Sequence, residues 1–554
     1  MADFKPRQFD ISERRSNYKS VLIKALIAVL VLVFIYLSYT VIKPLDNLGG
    51  TKDGEVAKIF SCVLLCVLII AYVILRINKK TNFEVDICFL LAAAFTIRLM
   101  YMLYTPYNVR QYDTFAKNNN GHFDYALYVY KTFALPTHAF TEQNIYQFYH
   151  PPLYYFVSAV WMKIYNAICF NSSLIDSEMA LFGSMQIMSC FFTFLISVYS
   201  VKTLRLLNLS KKAFFIAVIF CIFFPRLIQF SGQINNDVLA TLFMVLSTYR
   251  LIKWAKQGHG WLNFMLTALY LGLAMMTKLS AVIMSLGMAV YFLIELIRSI
   301  RKQQGSVKLK TLVLQYACFL LICAPLGLWF QFYAHYVYGI PFNFVFRNLN
   351  TNLFVGTRDY VLKRSDIYKV ESYDAKNSGV IYTNKFYNVL VRFISPVYFP
   401  DYEVNLFCNS FYNYNILTFA LKSAIFGEWS YPYGRGFAFL AIVFAYLTWF
   451  AVVVSTIINM IRHRKINGEF YLAVYLFLSI VIFYLYLQVS MPYGCSMDFR
   501  YITAIILPLG IMLGKNIDCE REKNTRNSRF LSHVLTVCAL GFIVSSNLFY
   551  FTVA

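Results

Sequence analysis

The stretch between positions 110 and 150 concentrates groups that can move protons or hold anions: Arg110, Gln111, Asp113, His122, Asp124, His138, Glu142 and His150. A carboxylate placed beside an attacking hydroxyl can take its proton. Asp113 lies in Arg110-Gln-Tyr-Asp113 and Asp124 in Gly121-His-Phe-Asp124. Both compete for the role of base, with Asp113 preferred. Each also has a plain reading as a helix cap or a solvated loop residue. Pro151 and Pro152 follow His150. They lack amide donors and fix φ ahead of a helix, which holds the imidazole in a defined place. His122 and His150 can orient the acid or bind an acceptor, a metal being the less favoured use. Farther along come Arg226, the run Gln233-Ile-Asn-Asn236-Asp237, then Lys278, then Asp498-Phe-Arg500-Tyr501. Arg226, Lys278 and Arg500 suit a phosphate. Lysine and arginine at the ends of apolar runs can instead snorkel to an interface. Asp498 can be a structural partner of Arg500, and residues 235–237 can cap a helix.

These residues are strung between elements that water cannot solvate. The chain of 554 residues is 59% hydrophobic and 14% charged, against about half apolar and a quarter charged in a soluble domain. Apolar runs near spanning length fall at 21–42, 57–75, 84–104, 180–201, 213–230, 237–252, 261–277, 280–297, 311–331, 437–461, 469–489, 499–515 and 532–551, about thirteen in all. The expected fold is an all-α polytopic membrane protein. Its net charge of +23 reads as topological and not as a sign of nucleic-acid binding, because the basic residues collect in alternate linkers. Those are 1–20, 76–80, 202–212, 250–256, 298–310, 462–465 and 515–529. Basic linkers stay cytoplasmic. The N-terminus is therefore expected inside, the C-terminus outside, and the reactive residues on the non-cytoplasmic face. The segment 152–170 is apolar enough to span, but a crossing there would turn every later basic linker outward. It is expected to lie at the outer interface.

Two outer regions are long, 105–179 and 332–436. Within the second, 411–426 is expected as a helix on the membrane surface, and Gly427-Glu-Trp-Ser-Tyr-Pro-Tyr-Gly-Arg435 as a ring-rich turn suited to binding sugar or acceptor. The organisation is then 1–83, a cytoplasmic N-terminus with an extra membrane hairpin; 84–331, the catalytic membrane core carrying the first outer loop; 332–436, the second outer region; and 437–554, the C-terminal membrane helices. Twelve cysteines are scattered, mostly in apolar runs, and no CxxC pair occurs. They read as small buried hydrophobes.

In sequence order, the acidic loop after the 84–104 span, the His150-Pro-Pro-Leu153 motif, the Asn236-Asp237 pair, Lys278 and Arg500-Tyr501 resemble the C-type integral-membrane glycosyltransferases. The likeness is greatest to the branch of protein O-mannosyltransferases and lipid A aminoarabinose transferases (glycosyltransferase family 39). It covers most of 84–515. That branch often carries adjacent Asp-Glu, which this chain lacks, so Asp113 and Asp124 both stay candidates. The expected fold is then GT-C-like, with the interfacial helices already read in the two outer loops. The resemblance also implies inverting transfer of a sugar from a polyprenyl-phosphate donor to a glycan, lipid or protein acceptor, with no firmly expected cofactor beyond the lipid-phosphate sugar. Substrate contacts are then expected from Arg110, Gln111, His122, His150, Arg226, Asn236, Asp237, Lys278, Asp498, Arg500 and Tyr501. The alternative is a transporter or flippase of a lipid-linked saccharide, which would place ionisable groups at the membrane midplane on broken helices.

Overall fold

The computed structural model describes residues 11–48, 54–114, 121–136, 147–168, 178–303, 307–342, 415–429, 431, 434–462, 468–490, 495–523 and 525–553. All regular structure among them is helical. Among the described residues, twelve helical stretches are long and apolar enough to cross a membrane. Trp261–Thr277 is a shorter apolar helix. Together they coincide with the thirteen apolar runs read from the sequence.

The chain opens with α1 (Ile11–Leu48), α2 (Glu55–Ile77) and α3 (Phe83–Tyr104). Helix α2 buries only Ala57 and Ser61, and its Ile59, Val63, Val67 and Ile70 point outward. Apolar side chains facing out along a whole helix are at home in hydrocarbon and nowhere else. The side chain of Asn82 starts α3 by accepting from the Val85 amide at 2.9 Å. Beyond α3 come the short α4 (His122–Thr132) and α5 (Leu153–Ile168), which pack together and against α6 (Glu178–Arg205). Helix α5 has 16 residues, short of a crossing, in keeping with the interfacial reading of 152–170.

The expected single span at 213–230 is two helices, α7 (Lys211–Ile222) and α8 (Pro225–Gly232). Pro225 takes the first position of α8, where its missing amide costs nothing. The break leaves carbonyls without helical partners. Buried Arg98 of α3 meets one of them, donating to the Ile222 carbonyl and, at 2.9 Å, to that of Thr193 in α6. Helices α9 (Asn236–Lys256), α10 (Trp261–Thr277), α11 (Ile283–Ile300) and α12 (Leu309–Tyr338) complete the first bundle.

Farther along the chain come α13 (Ile416–Phe426), α14 (Arg435–Arg462), α15 (Gly468–Ser490), a 3-10 segment Phe499–Ile505, α16 (Ile506–Lys523) and α17 (Arg526–Val553). Helix α13 departs from expectation. All its residues but Leu417 are buried, and it packs on α8, α14 and the 499–505 segment. A surface helix buries one face; this one lies within the protein and closes over the site. Most of 332–436 falls outside the described residues, as do His138 and Glu142.

Candidate active site

Four chain segments meet where α8, α9, α10 and the 499–505 segment begin or end. The loop after α3 is set in register by the Gln111 side chain. Its amide donates to the Gly232 carbonyl at 2.8 Å and accepts from the Ile234 amide at 2.8 Å. That clamp ties the loop to the α8–α9 turn. The next residue, Tyr112, is buried and donates its hydroxyl to Asp498 at 2.8 Å. Asp113 follows with φ +51°, a conformation that Asp tolerates better than most residues. Its carbonyl accepts from the His122 amide at 2.9 Å, which joins the loop to the start of α4.

Three cations are brought together, each beside a carboxylate. Arg226 and Asp498 form an ion pair at 2.7 Å with both side chains fully shielded from solvent. Arg226 also donates to Gln229, to the Ser423 carbonyl at 3.2 Å and to the Tyr112 hydroxyl at 3.4 Å. Asp498 additionally caps the 499–505 segment, accepting from the Arg500 amide at 2.6 Å. This sealed charge pair ties α8, α13 and the 499–505 segment together, with only the Arg226 Nε left without a partner. Of the other two, only the Arg500–Asp113 pair is open to solvent, on its carboxylate side; Lys278 and Asp237 are both buried. Arg500 reaches one oxygen of Asp113 at 3.3 Å through both terminal nitrogens, and Asp113 is 54% exposed. Lys278, held in an extended turn after α10, pairs with Asp237 at the start of α9. Arg500 and Lys278 flank one ring: Tyr501 lies 5.0 Å from the guanidinium carbon and 4.8 Å from the ammonium. Arg500 also lies 4.2 Å from the centre of the Tyr112 ring.

Beside them, His122 shares a hydrogen bond of 2.9 Å with the Tyr155 hydroxyl and stacks on His150 at 5.7 Å between ring centres. Burial, with the positive charges of Lys278 and Arg500 nearby, holds His122 well below the usual imidazole range. Burial does the same to His150, helped by His122 and those two cations. Both rings are therefore neutral, and act as hydrogen-bonding partners.

Several of the expected residues make contacts within the protein. The carboxylate of Asp124 turns back to accept from the Gly121 amide at 2.6 Å, so it caps α4. Arg110 lies between the Tyr104 and Tyr431 rings, 4.8 Å from each centre. Asn236 donates to the Thr277 carbonyl at 3.3 Å, joining α9 to the end of α10. Its Oδ1, the Asn235 Nδ2 and the whole Gln233 amide are buried without partners. Among the described residues, no group of three or more His, Cys, Asp or Glu side chains could hold a metal.

Three site residues escaped sequence reasoning: Tyr112, Tyr155 and Glu428. The tyrosines are lost among 43 in the chain. Glu428 did carry a signal, as the acid between Gly427 and Trp429 in a ring-rich turn. Gly427 has φ +65°, and a Cβ there would lie 2.9 Å from the Tyr112 hydroxyl and 2.8 Å from the Trp429 ring nitrogen, so only glycine fits. Trp429 packs on Tyr112 at 4.9 Å. Burial, and then the nearby Asp498 carboxylate, push Glu428 up to about 8.

No curated protein matches the chain. Among solved structures, the apo oligosaccharyltransferase of Archaeoglobus fulgidus is 13% identical, with a TM-score of 0.43 over 84% of this chain and 55% of that one. The chain thus spans about half the length of that relative. Apo ArnT from Cupriavidus metallidurans is 14% identical, with a TM-score of 0.35 over 82% of this chain and 77% of that one. ArnT bound to undecaprenyl phosphate is 12% identical, with a TM-score of 0.34 over 83% and 78%. Residues 140–338 match the family model described as dolichyl-phosphate-mannose-protein mannosyltransferase, a stretch that holds the His150-Pro-Pro motif and Lys278.

Proposed function

We propose that this chain is a membrane glycosyltransferase that moves a sugar from a polyprenyl-phosphate carrier to an acceptor hydroxyl, with inversion, on the non-cytoplasmic face. The observation that carries this reading is the placing of Arg500 and Lys278 on one tyrosine ring, with the half-exposed Asp113 beside them. Two cations at one end of a helix bundle suit a phosphate whose lipid tail stays in hydrocarbon. A donor phosphate there exchanges with the carboxylates that neutralise Arg500 and Lys278. Asp113 is then free to take a proton. In the transfer, the acceptor oxygen bonds to the anomeric carbon and the bond from that carbon to the phosphate oxygen breaks. The electron pair leaves with the phosphate, where Arg500 and Lys278 meet it, and the acceptor proton passes to Asp113. The orphaned amides of Gln233, Asn235 and Asn236 are suited to sugar hydroxyls once the turn opens.

The charge on α9 supports the proposed sidedness. α9 begins at the site and carries Lys253 and Lys256 in its last turn, 21 residues from its start. That is about 30 Å, the thickness of the hydrocarbon, and the basic end is the cytoplasmic one. Transport draws less support, because the site's charges gather at helix ends and not at mid-span. The test is transfer from a synthetic polyprenyl-phosphate sugar by the purified full-length protein in nanodiscs. If no such lipid is bound or consumed, the reading fails.

A further inference from the structure

Helices α1 and α2 precede the stretch that matches the mannosyltransferase family, residues 140–338, and supply none of the groups in the mechanism above. Most of α1 faces outward: Ile23, Leu26, Leu30, Leu37 and Val41 are exposed, as suits a helix in lipid. Its C-terminal end is different. Gly183 of α6 leaves room there for the Tyr39 hydroxyl. One turn on, Lys43 is buried, its ammonium 4.9 Å from the centre of the Tyr39 ring. An ionisable side chain turned inward on a membrane helix is costly and marks a function.

Lys43 meets the open end of α3. Its ammonium donates to the carbonyls of Met102 at 3.3 Å and Thr105 at 3.0 Å, and to Oε1 of Gln186 in α6. The last carbonyls of a helix have no partner within it and carry partial negative charge, so a cation with three donors suits them. Gln186 is fully shielded from solvent. A side-chain amide has one accepting and one donating end, and a lysine, which can only donate, fixes which is which. The Gln186 Nε2 is thereby turned to the Thr105 carbonyl at 3.0 Å and to the Gly232 carbonyl, the last of α8, at 2.7 Å. The Gly232 carbonyl is also the one held by Gln111, which accepts in turn from the Ile234 amide. Lys43, Gln186 and Gln111 thus form one line of hydrogen bonds from α1 to the loop of Asp113, which lies two residues beyond Gln111.

We propose that Lys43 is a positioning residue for transfer: through Gln186 it fixes the end of α3 and the α8–α9 turn, and with them the place of Asp113 beside Arg500. This rests on the reading of Asp113 as the base. It makes α1 a working part of the site and not a separate anchor.

The test is a double-mutant cycle of Lys43→Met and Asp113→Asn in the full-length protein in nanodiscs. The readout is the single-turnover rate constant from a synthetic polyprenyl-phosphate sugar at saturating donor. Lys43→Met keeps an apolar stem and removes all three donors. A small displacement of a reacting group costs up to about 100-fold, so a fall of about 10–100-fold is expected where Asp113 is present. With Asp113→Asn in place there is no base to displace, and the same change is expected to cost about threefold at most. Lys43→Arg, which keeps the charge and the donors, is expected to recover most of the rate. Where Lys43→Met does not fold, Lys43→Gln, which keeps one amide donor, runs through the same cycle. A lysine with a merely structural role lowers the melting temperature and changes the rate by the same factor in both backgrounds. Equal factors, or a rate for Lys43→Met within about threefold of wild type, overturn the proposal. Transfer that is absent from the wild type, or undiminished by Asp113→Asn alone, overturns the reading on which the proposal rests, and the proposal with it.

Discussion

Asp113 and Asp498 each pair with an arginine, and the structure assigns them opposite consequences when neutralised. Asp113→Asn changes one oxygen for an amide and suits the backbone at φ +51°, because Asn tolerates that region as Asp does. It breaks a pair at 3.3 Å in which Asp113 is 54% exposed. Coulomb attraction at that range in a water-like medium is about 1 kcal/mol, and exposed pairs retain about 0–1 kcal/mol after screening and entropy. The melting temperature is therefore expected to move by a few degrees at most. Transfer is expected to fall about 10²–10⁴-fold, or about 3–5 kcal/mol in the barrier, as for loss of a general base. Asp498→Asn has the reverse profile. It strands Arg226 in a site with no solvent, at a cost of about 3–5 kcal/mol, and is expected to melt far below the wild type. The assay pairs thermal unfolding in one detergent with single-turnover transfer from a synthetic donor. Single turnover keeps product release out of the comparison. An Asp113→Asn protein that transfers within threefold of wild type refutes the assignment of the base. One that unfolds as readily as Asp498→Asn refutes the claim that its pair is open to exchange.

The capping role of Asp124 predicts that Asp124→Ala costs about 1 kcal/mol in thermal unfolding and leaves transfer within severalfold of wild type; a loss above a hundredfold would restore it as a base candidate. The neutral histidines predict a pH effect with a definite sign. Because burial holds His122 below its unfolded value, the unfolded chain binds more protons as pH falls through about 6.5. Stability is lost progressively below that point and not above it. His122→Asn is expected to lose part of the drop in melting temperature between pH 7.5 and 5.5, and an undiminished drop would show that His122 is not held neutral.

The membrane character and the thirteen apolar runs, twelve of them helical stretches of spanning length among the described residues, were open to reading along the chain. Spanning length and alternation of basic linkers are local properties, and the bilayer enforces both. The order of short motifs named the segments that meet: Asp113, Lys278 and Arg500 are hundreds of residues apart yet share one end of the bundle. Sequence could not say which charge answers which. Arg226, Lys278 and Arg500 look alike in a string, and only packing sealed the first with Asp498, buried the second with Asp237 and set the third against the half-exposed Asp113. Sequence preferred Asp113 to Asp124 without separating their surroundings; the backbone turns Asp124 onto the Gly121 amide and Asp113 toward Arg500. The break between α7 and α8 also needed the tertiary structure, because a buried arginine from α3 is what satisfies the broken end. Helix α13 and Glu428 were least legible. Burial on every side is a property of neighbours distant in sequence. A glutamate in a polar, aromatic turn carries no mark of the charges that will surround it.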